Sequence, residues 1–191
     1  RLNGTSAATS VMVESGTMTL GAAQRLSATA SLGIASGASL MLNGNQTVGE
    51  FVAAGHLGGD TGDTLVAAVY DLRDGAVIDA NLGNGRIYSN GQVLLNGESA
   101  AEEVLVQSGA LTLGGPDRLA DYAWGDVSAG SKLVLANGND VVRLLTGGGD
   151  VELRNGSVLS VHSGSYSGTA FSTGALLKDA DPKLTLSGSN T

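Results

Sequence analysis

The chain carries an internal repeat, and this repeat constrains the fold more than any other feature of the sequence. Residues 1–42 align with residues 94–135 at an offset of 93, and about 19 of the 42 aligned positions are identical. Residues 186–191 resemble the opening of a third copy. The pattern predicts about two tandem units of about 92 residues, at 1–93 and 94–185, within one segment excised from a larger protein.

Within each unit, short stretches alternate apolar and polar residues with the period of two that is typical of β-strands, as in Met18–Leu20 and Leu184–Leu186. Ser-Gly, Asn-Gly and Asp-Gly steps separate these stretches and suit turns that need a positive φ. The pattern fits either hairpins of a β-sandwich or the coils of a parallel β-helix, which take about twenty residues each. The predicted inward positions are Val11, Val13, Leu20, Leu40, Leu42, Val104, Val106, Leu113, Leu133 and Leu135.

The composition and the repeat together favour the parallel β-helix. Aromatic residues make up 4% of the chain, fewer than a sandwich of this length usually carries, so small aliphatic side chains must fill the core. A solenoid also allows a block of coils to be copied in tandem. No segment is a convincing helix, because Ala100–Glu103 is short and leads directly into a strand pattern. We therefore expect an all-β solenoid with several coils in each unit.

The spaced pattern Ser-Gly-x-Leu-Thr-Leu-Gly, Gly-x-x-Leu-x-Leu and Leu-Thr-Leu-Ser-Gly-Ser-Asn-Thr resembles the passenger-associated repeats of bacterial autotransporters. Its three pieces are residues 108–114, 130–135 and 184–191. A weaker first copy occupies residues 15–21 and 37–42. The resemblance covers most of the chain and rests on the spacing of several pieces rather than on one short motif.

This resemblance implies a right-handed parallel β-helix that is exported across the outer membrane and either displayed on the bacterial cell surface or secreted. The implied function is a non-enzymatic scaffold of an adhesin or virulence factor. Its partners would be a host surface protein or glycan, or like molecules on neighbouring cells. Two alternatives remain open: a self-association module for autoaggregation or biofilm formation, and a fragment of a polysaccharide-degrading enzyme with the same fold.

Charge and composition argue against several other classes of protein. Ten basic residues against eighteen acidic ones give a formal net charge of −8, which disfavours nucleic acid as a partner. No apolar run reaches the roughly 18 residues needed to cross a bilayer, so we expect no membrane insertion by this segment. The absence of cysteine suits an exported chain that must stay unfolded during translocation. No motif for a cofactor is present, and none is expected.

Differences between the two units point to a binding surface. Where the first unit has Thr29, the second has Tyr122, and where the first has Ser31, the second has Trp124. Side chains two residues apart on a strand point to the same side. Both rings could therefore stack on a sugar or contact a protein. Alternatively, the rings pack beneath a local loop anchored by Pro116. The predicted binding residues are Tyr122, Trp124, Arg118 and Asp126.

A metal site has one weak candidate. Residues 58–66 approach the glycine-rich calcium nonapeptide, in which carbonyl and carboxylate oxygens bind the ion, and Asp60 and Asp63 would be its ligands. Such sites need adjacent tandem copies, which are missing here. A solvated acidic turn is the preferred interpretation, so no metal is predicted.

A catalytic site has equally weak candidates. The best acidic group, Asp71, Arg73, Asp74 and Asp79, is only partly kept in the second unit, and solvated turn residues explain it without a reaction. The chain has two histidines, His56 and His162, and neither has a spacing that indicates a metal site or a Ser-His-Asp triad. No catalytic residue is therefore predicted.

Overall fold

The chain folds as a parallel β-helix of about nine turns, seen in a computed structural model that describes residues 1–179 and 183–188. The described residues contain strands and turns but no helix. The first ten strands are β1 (Ser10–Val13), β2 (Thr17–Thr19), β3 (Ser31–Ile34), β4 (Ser39–Met41), β5 (Gln46–Thr47), β6 (Glu50–Ala53), β7 (His56–Gly58), β8 (Thr64–Val66), β9 (Val69–Arg73) and β10 (Val77–Ile78). The remaining described strands are β11 (Asn81–Leu82), β12 (Arg86–Leu95), β13 (Glu103–Leu113), β14 (Trp124–Val127), β15 (Lys132–Leu135), β16 (Asp140–Gly147), β17 (Asp150–Leu153), β18 (Val158–Tyr166), β19 (Ala170–Ser172), β20 (Ala175–Lys178) and β21 (Leu184–Leu186).

Each turn passes through three faces in the same order. Face 1 contains β1, β3, β6, β9, β14, β21 and parts of β12, β13, β16 and β18. Face 2 contains β2, β4, β7, β10, β15, β17, β19 and the later parts of β12 and β13. Face 3 contains β5, β8, β11, β20 and the first parts of β16 and β18. Every strand pair among the described residues is parallel, which excludes the sandwich of antiparallel hairpins.

The register between turns is close and nearly constant. Paired residues on face 1 lie between 17 positions apart, as for Arg86 with Glu103, and 21 apart, as for Ser10 with Ser31. This spacing matches the predicted coil of about twenty residues. Because each strand bonds only to the turns directly below and above it, the backbone hydrogen bonds form a continuous stack along the solenoid.

Aliphatic ladders fill the interior, as the period-two pattern predicts. On face 2, one inward ladder joins Leu40, Leu57, Ile78, Leu95, Leu113, Leu135 and Leu153. All seven side chains are buried. The predicted inward positions are confirmed: nine of the ten are buried, and Val11, near the first turn, is half-buried and packs against the core.

Two buried tyrosines interrupt the aliphatic core and close it with hydrogen bonds. The hydroxyl of Tyr70 accepts a bond from the Ala67 amide at 2.9 Å and reaches the Leu65 carbonyl at 3.0 Å. Burial raises the pKa of Tyr70 to about 12. The hydroxyl of Tyr166 donates to the Gly149 carbonyl at 2.6 Å. Each phenol therefore satisfies backbone groups at an interior corner, where an aliphatic side chain would leave them unpaired.

The register gives the sequence repeat a structural meaning. On face 1, Val11 and Val104 belong to one ladder and are five turns apart, with Leu32, Phe51, Tyr70 and Ile87 between them. An offset of 93 residues is therefore five turns. The unit boundaries at 93/94 and 185/186 remain predictions, and three residues of the suggested third copy, Ser189, Asn190 and Thr191, lie outside the described residues.

One similarity of sequence between the two units does not correspond to an equivalent position in the fold. Residues 71–78 and 152–159 share a similar sequence, but Asp71 lies in β9 on face 1, whereas Glu152 lies in β17 on face 2. The shared pattern encodes a similar glycine turn, with Gly75 at φ 87° and Gly156 at φ 72°, at two different corners of the solenoid.

Removing one rung of the core ladder should destabilise the whole stack. We expect Leu113→Ala to lower the free energy of unfolding by about 2–5 kcal/mol, because Leu113 is completely buried and the rigid backbone cannot close the cavity. Met12→Ala, at a residue that is 58% exposed, is the control and should change little. Equal denaturation midpoints for Leu113→Ala and the wild type would contradict the ladder.

Candidate binding surfaces on the second unit

The stretch that leads from face 2 across face 3 to the next strand of face 1, which we call the corner, is built twice, once in each unit. In the first unit the Arg25 amide donates to the Gln46 side-chain oxygen at 2.8 Å, and in the second the Arg118 amide donates to Asp140 Oδ2 at 2.8 Å. The residue before each arginine has positive φ, 51° at Gln24 and 53° at Asp117. These matched contacts show that the repeat preserves the backbone of this corner. We call residues 117–122 the corner turn.

Other contacts of the corner are duplicated as well. Ser6 and Ser99 each donate a backbone bond to the carbonyl of the aligned arginine, at 2.7 and 2.9 Å. Each serine hydroxyl also accepts the amide of the residue two positions later, at 3.2 and 3.1 Å. The glycines that precede the clamping side chains, Gly44 and Gly138, have φ values of 94° and 95°. The two corners therefore share their backbone conformation and differ in the side chains that they present.

Asp140 is the buried acid of the second corner, and sequence reasoning missed it. It is 1% exposed and accepts bonds from the amides of Arg118, Leu119 and Val141 at 2.8, 3.2 and 2.9 Å. Burial raises the pKa of Asp140 from 3.8 to about 6; the three amides oppose this effect, and the charge of Asp117 adds to it. The replacement of Gln46 by Asp140 at aligned positions was the signal available in the sequence.

The two predicted aromatic residues do not share a side. Tyr122 lies in the corner turn, closed by a bond from the Ala123 amide to the Ala120 carbonyl at 2.8 Å, and β14 begins only at Trp124. The expectation of one aromatic patch therefore fails, because the alternation of a strand does not extend back to Tyr122. Pro116 packs against Gly138.

The four predicted binding residues divide between two surfaces. Tyr122 lines a groove beside the corner turn, whereas Trp124 and Asp126 point outward from β14 on face 1. Arg118 belongs to the corner itself: its backbone bonds to Asp140, and its buried Nε has no hydrogen-bond partner among the described residues. The role of these residues in binding stays a prediction.

Trp124 is held in place on face 1 by a chain of hydrogen bonds. Its Nε1 donates to the Thr146 hydroxyl at 2.9 Å, and that hydroxyl donates to Asp126 Oδ2 at 2.7 Å. Arg86 bonds to Glu103, the strand partner of Trp124, at 3.0 Å. We call the surrounding outward residues the outer platform: Arg86, Tyr88, Glu103, Leu105, Trp124, Asp126, Leu144 and Thr146.

The groove beside the corner turn is a cavity of about 360 Å³ that opens to the solvent. Tyr122 is 51% exposed there and donates its hydroxyl hydrogen to the Ala100 carbonyl at 3.0 Å. We call this cavity the corner groove. Its lining residues are Thr64, Asn81, Leu82, Gly83, Glu98, Ser99, Ala100, Asp117, Leu119, Ala120, Asp121 and Tyr122.

The weak calcium candidate is a structural turn. Asp63 Oδ1 accepts a bond from the Gly44 amide at 2.9 Å, and its Oδ2 accepts one from the Asp60 amide at 3.0 Å. These bonds use the Asp63 carboxylate to hold the backbone of two neighbouring turns. In residues 1–179 and 183–188, no group of three His, Cys, Asp or Glu side chains has a geometry that could hold a metal ion.

The acidic residues considered for catalysis are dispersed. Asp71 pairs with Arg73 at 2.8 Å on face 1, and Asp74 accepts the Gln92 amide at 2.8 Å at the next corner. Asp79 lies after β10 and bonds to His56 at 2.8 Å and to Asn96 at 2.7 Å. The structure does not bring the four residues into one cluster.

Three charged residues of the second unit, Lys132, Glu152 and Arg154, form a separate group at face 2. Glu152 accepts bonds from Arg154 at 2.7 Å and Lys132 at 3.2 Å, and these cations lower the pKa of Glu152. Lys132 also lies 5.0 Å from the centre of the Phe171 ring. His162 lies elsewhere, 3.4 Å from Asp179. Each of these contacts joins neighbouring side chains at the surface.

Comparison with known proteins found no counterpart. No protein-family model matches the chain, and no curated protein or solved structure is significantly similar to it. In the part of the chain that the structure describes, no helix is long and apolar enough to cross a membrane. Function is therefore inferred from the geometry of this chain.

The raised pKa of Asp140 predicts an unusual dependence of stability on pH. Because the pKa is higher in the folded than in the unfolded chain, this carboxyl favours folding at low pH, and its contribution is lost as the pH rises through 6. We expect the unfolding free energy of the wild type, relative to Asp140→Gln, to increase by about 2 kcal/mol between pH 7 and pH 4. Denaturant titrations across this range measure it, and a constant difference would contradict the assignment.

Proposed function

We propose that this chain is a non-enzymatic scaffold segment of a secreted or surface-displayed autotransporter passenger, of the adhesin type, that contacts a host surface protein or glycan. The observation that carries the proposal is the fixed Trp124 ring on the outer platform. A hydrogen-bonded, half-buried tryptophan on the outer side of a sheet gives a large contact area at a small cost in conformational entropy.

The fold does not need this tryptophan. The aligned residue of the first unit is Ser31, which also lies outward on face 1 and pairs with its neighbours in the same way. The serine strand and the tryptophan strand occupy the same place, five turns apart. Trp124 is large and held in place, although the stack of turns does not need it. Such a residue suits a binding surface carried by a scaffold.

The surroundings of Trp124 resemble the centre and rim of a protein interface. Leu105 and Leu144 provide apolar neighbours on adjoining strands, and the ion pair of Arg86 with Glu103 borders them. Four successive rungs at about 4.8 Å give the platform a length of roughly 14 Å. An apolar centre with charged residues at its edge is typical of surfaces that bind macromolecules.

The architecture also supports export. Strands bond only to turns about twenty residues away, so a turn can fold as soon as the turn beside it is in place. A chain that emerges from a pore could fold in this order and be prevented from sliding back. Together with the autotransporter-like pattern, this property favours an exported passenger.

Replacing Trp124 should remove binding and preserve the fold. We expect Trp124→Ser, which installs the residue of the aligned first-unit position, to abolish attachment of the labelled chain to cultured epithelial cells in flow cytometry. The control is Leu94→Ser, which removes a half-buried outward apolar side chain on face 2 and should leave attachment unchanged. Equal attachment by wild type and Trp124→Ser would contradict the proposal.

The alternatives give different results in the same preparation. Self-association would appear as an increase in sedimentation coefficient with protein concentration. A polysaccharide-degrading enzyme would release reducing or unsaturated ends from a polysaccharide panel. Either result without cell attachment would replace the adhesin proposal.

A further inference from the structure

The corner groove contains carboxylates that have no partner. Glu98, Asp117 and Asp121 line it, and none of their carboxylates forms a hydrogen bond or ion pair with the described residues. Elsewhere, Asp71, Glu103 and Glu152 each pair with an arginine. No lysine, arginine or histidine is among the residues that line the groove. Their combined field favours a positively charged ligand.

An aromatic ring forms one wall of this acidic groove. The bond from the Tyr122 hydroxyl to the Ala100 carbonyl fixes the ring between two turns, while about half of the side chain stays exposed. The face of a phenol ring attracts an ammonium or guanidinium group. Tyr122 and the three carboxylates therefore favour the same kind of ligand.

A buried hydroxyl lies against the same groove. Ser99 is 6% exposed and lines the cavity; its oxygen accepts the Ala101 amide, and its hydrogen has no acceptor among the described residues. A free hydroxyl hydrogen can bond to a carbonyl oxygen of a ligand. A basic peptide carries both groups that the groove lacks, a cationic side chain and a backbone carbonyl.

The first unit shows that the corner folds without these features. Its aligned positions hold Thr5, Gln24, Ala28 and Thr29 in place of the three acids and the tyrosine. The backbone contacts of the two corners nevertheless match, from the clamped arginine amides to the serine hydroxyls. The acids and the ring of the second unit are therefore additions that the scaffold does not require.

We propose that the corner groove binds a basic peptide segment of a partner protein, with an arginine or lysine side chain over the Tyr122 ring and between Asp117, Asp121 and Glu98. A neutral glycan could stack on the ring, but it would leave the three negative charges without a counterion. An anionic glycan would be repelled. This site is separate from the outer platform, so a ligand here is additional to the one proposed for Trp124.

The test uses a fluorescein-labelled peptide with two arginines among glycine and serine residues, measured by fluorescence anisotropy at physiological ionic strength. We expect the wild type to bind it. The double variant Asp117→Gln/Asp121→Ala installs the first-unit residues and should weaken binding by about tenfold. Tyr122→Thr, also a first-unit residue, should weaken it by about threefold, with little dependence on salt.

Matched controls separate this site from general attraction to an acidic protein. Glu14→Gln/Glu50→Gln removes the same two charges from exposed positions outside the groove and should leave binding unchanged. Trp124→Ser should also bind normally, so that failure of the platform and failure of the groove can be told apart. Thermal melting checks that each variant is folded.

Three results would overturn the proposal. The first is no binding of the peptide by the folded wild type. The second is an equal loss of binding in the groove variants and the Glu14/Glu50 control. The third is binding of a neutral oligosaccharide such as maltohexaose, lost in Tyr122→Thr, in place of the peptide, which would assign the groove to glycans.

Discussion

Parallel pairing of each turn with the next, closed over an aliphatic ladder, is the constraint on which the rest of the structure depends. A single turn cannot bury its own apolar side chains, and its strands have no partners within the turn. Both needs are met only by stacking, as in the leucine and isoleucine ladder of face 2. Outward side chains are then free to vary, because the core and the backbone bonds already define the fold.

The internal repeat separates what the fold requires from what has been added to it. The corner recurs after five turns with the same backbone contacts. The side-chain oxygen of Gln46 accepts the arginine amide in the first unit, and the carboxylate of Asp140 accepts it in the second. On this conserved backbone the second unit carries Tyr122 and Trp124, where the first carries Thr29 and Ser31. Both proposed binding surfaces lie at such positions, which gives each variant a natural replacement residue.

Much of the fold could be predicted from the sequence, because alternation and duplication are properties of the whole chain. The inward positions followed from the alternation, and the β-helix that the duplication favours has coils of about twenty residues. The site was less predictable, because the start of β14 at Trp124 depends on how the corner turn closes. Residues 71–78 and 152–159 look equivalent in sequence but lie on different faces, because the same kind of glycine turn forms at two different corners of the solenoid. Asp140 was missed because its role depends on backbone amides of a distant turn.

The most direct test of the solenoid measures distances along one row of face 1. Ser10, Ser31, Glu103 and Ser163 point outward in the same row, and Ser31 and Glu103 are four turns apart, whereas Ser10 and Ser163 are eight turns apart. Pulsed electron resonance between spin labels should give about 19 Å for the first pair and about 38 Å for the second, at about 4.8 Å per turn. Distances that do not grow with the number of turns would contradict the stacked solenoid.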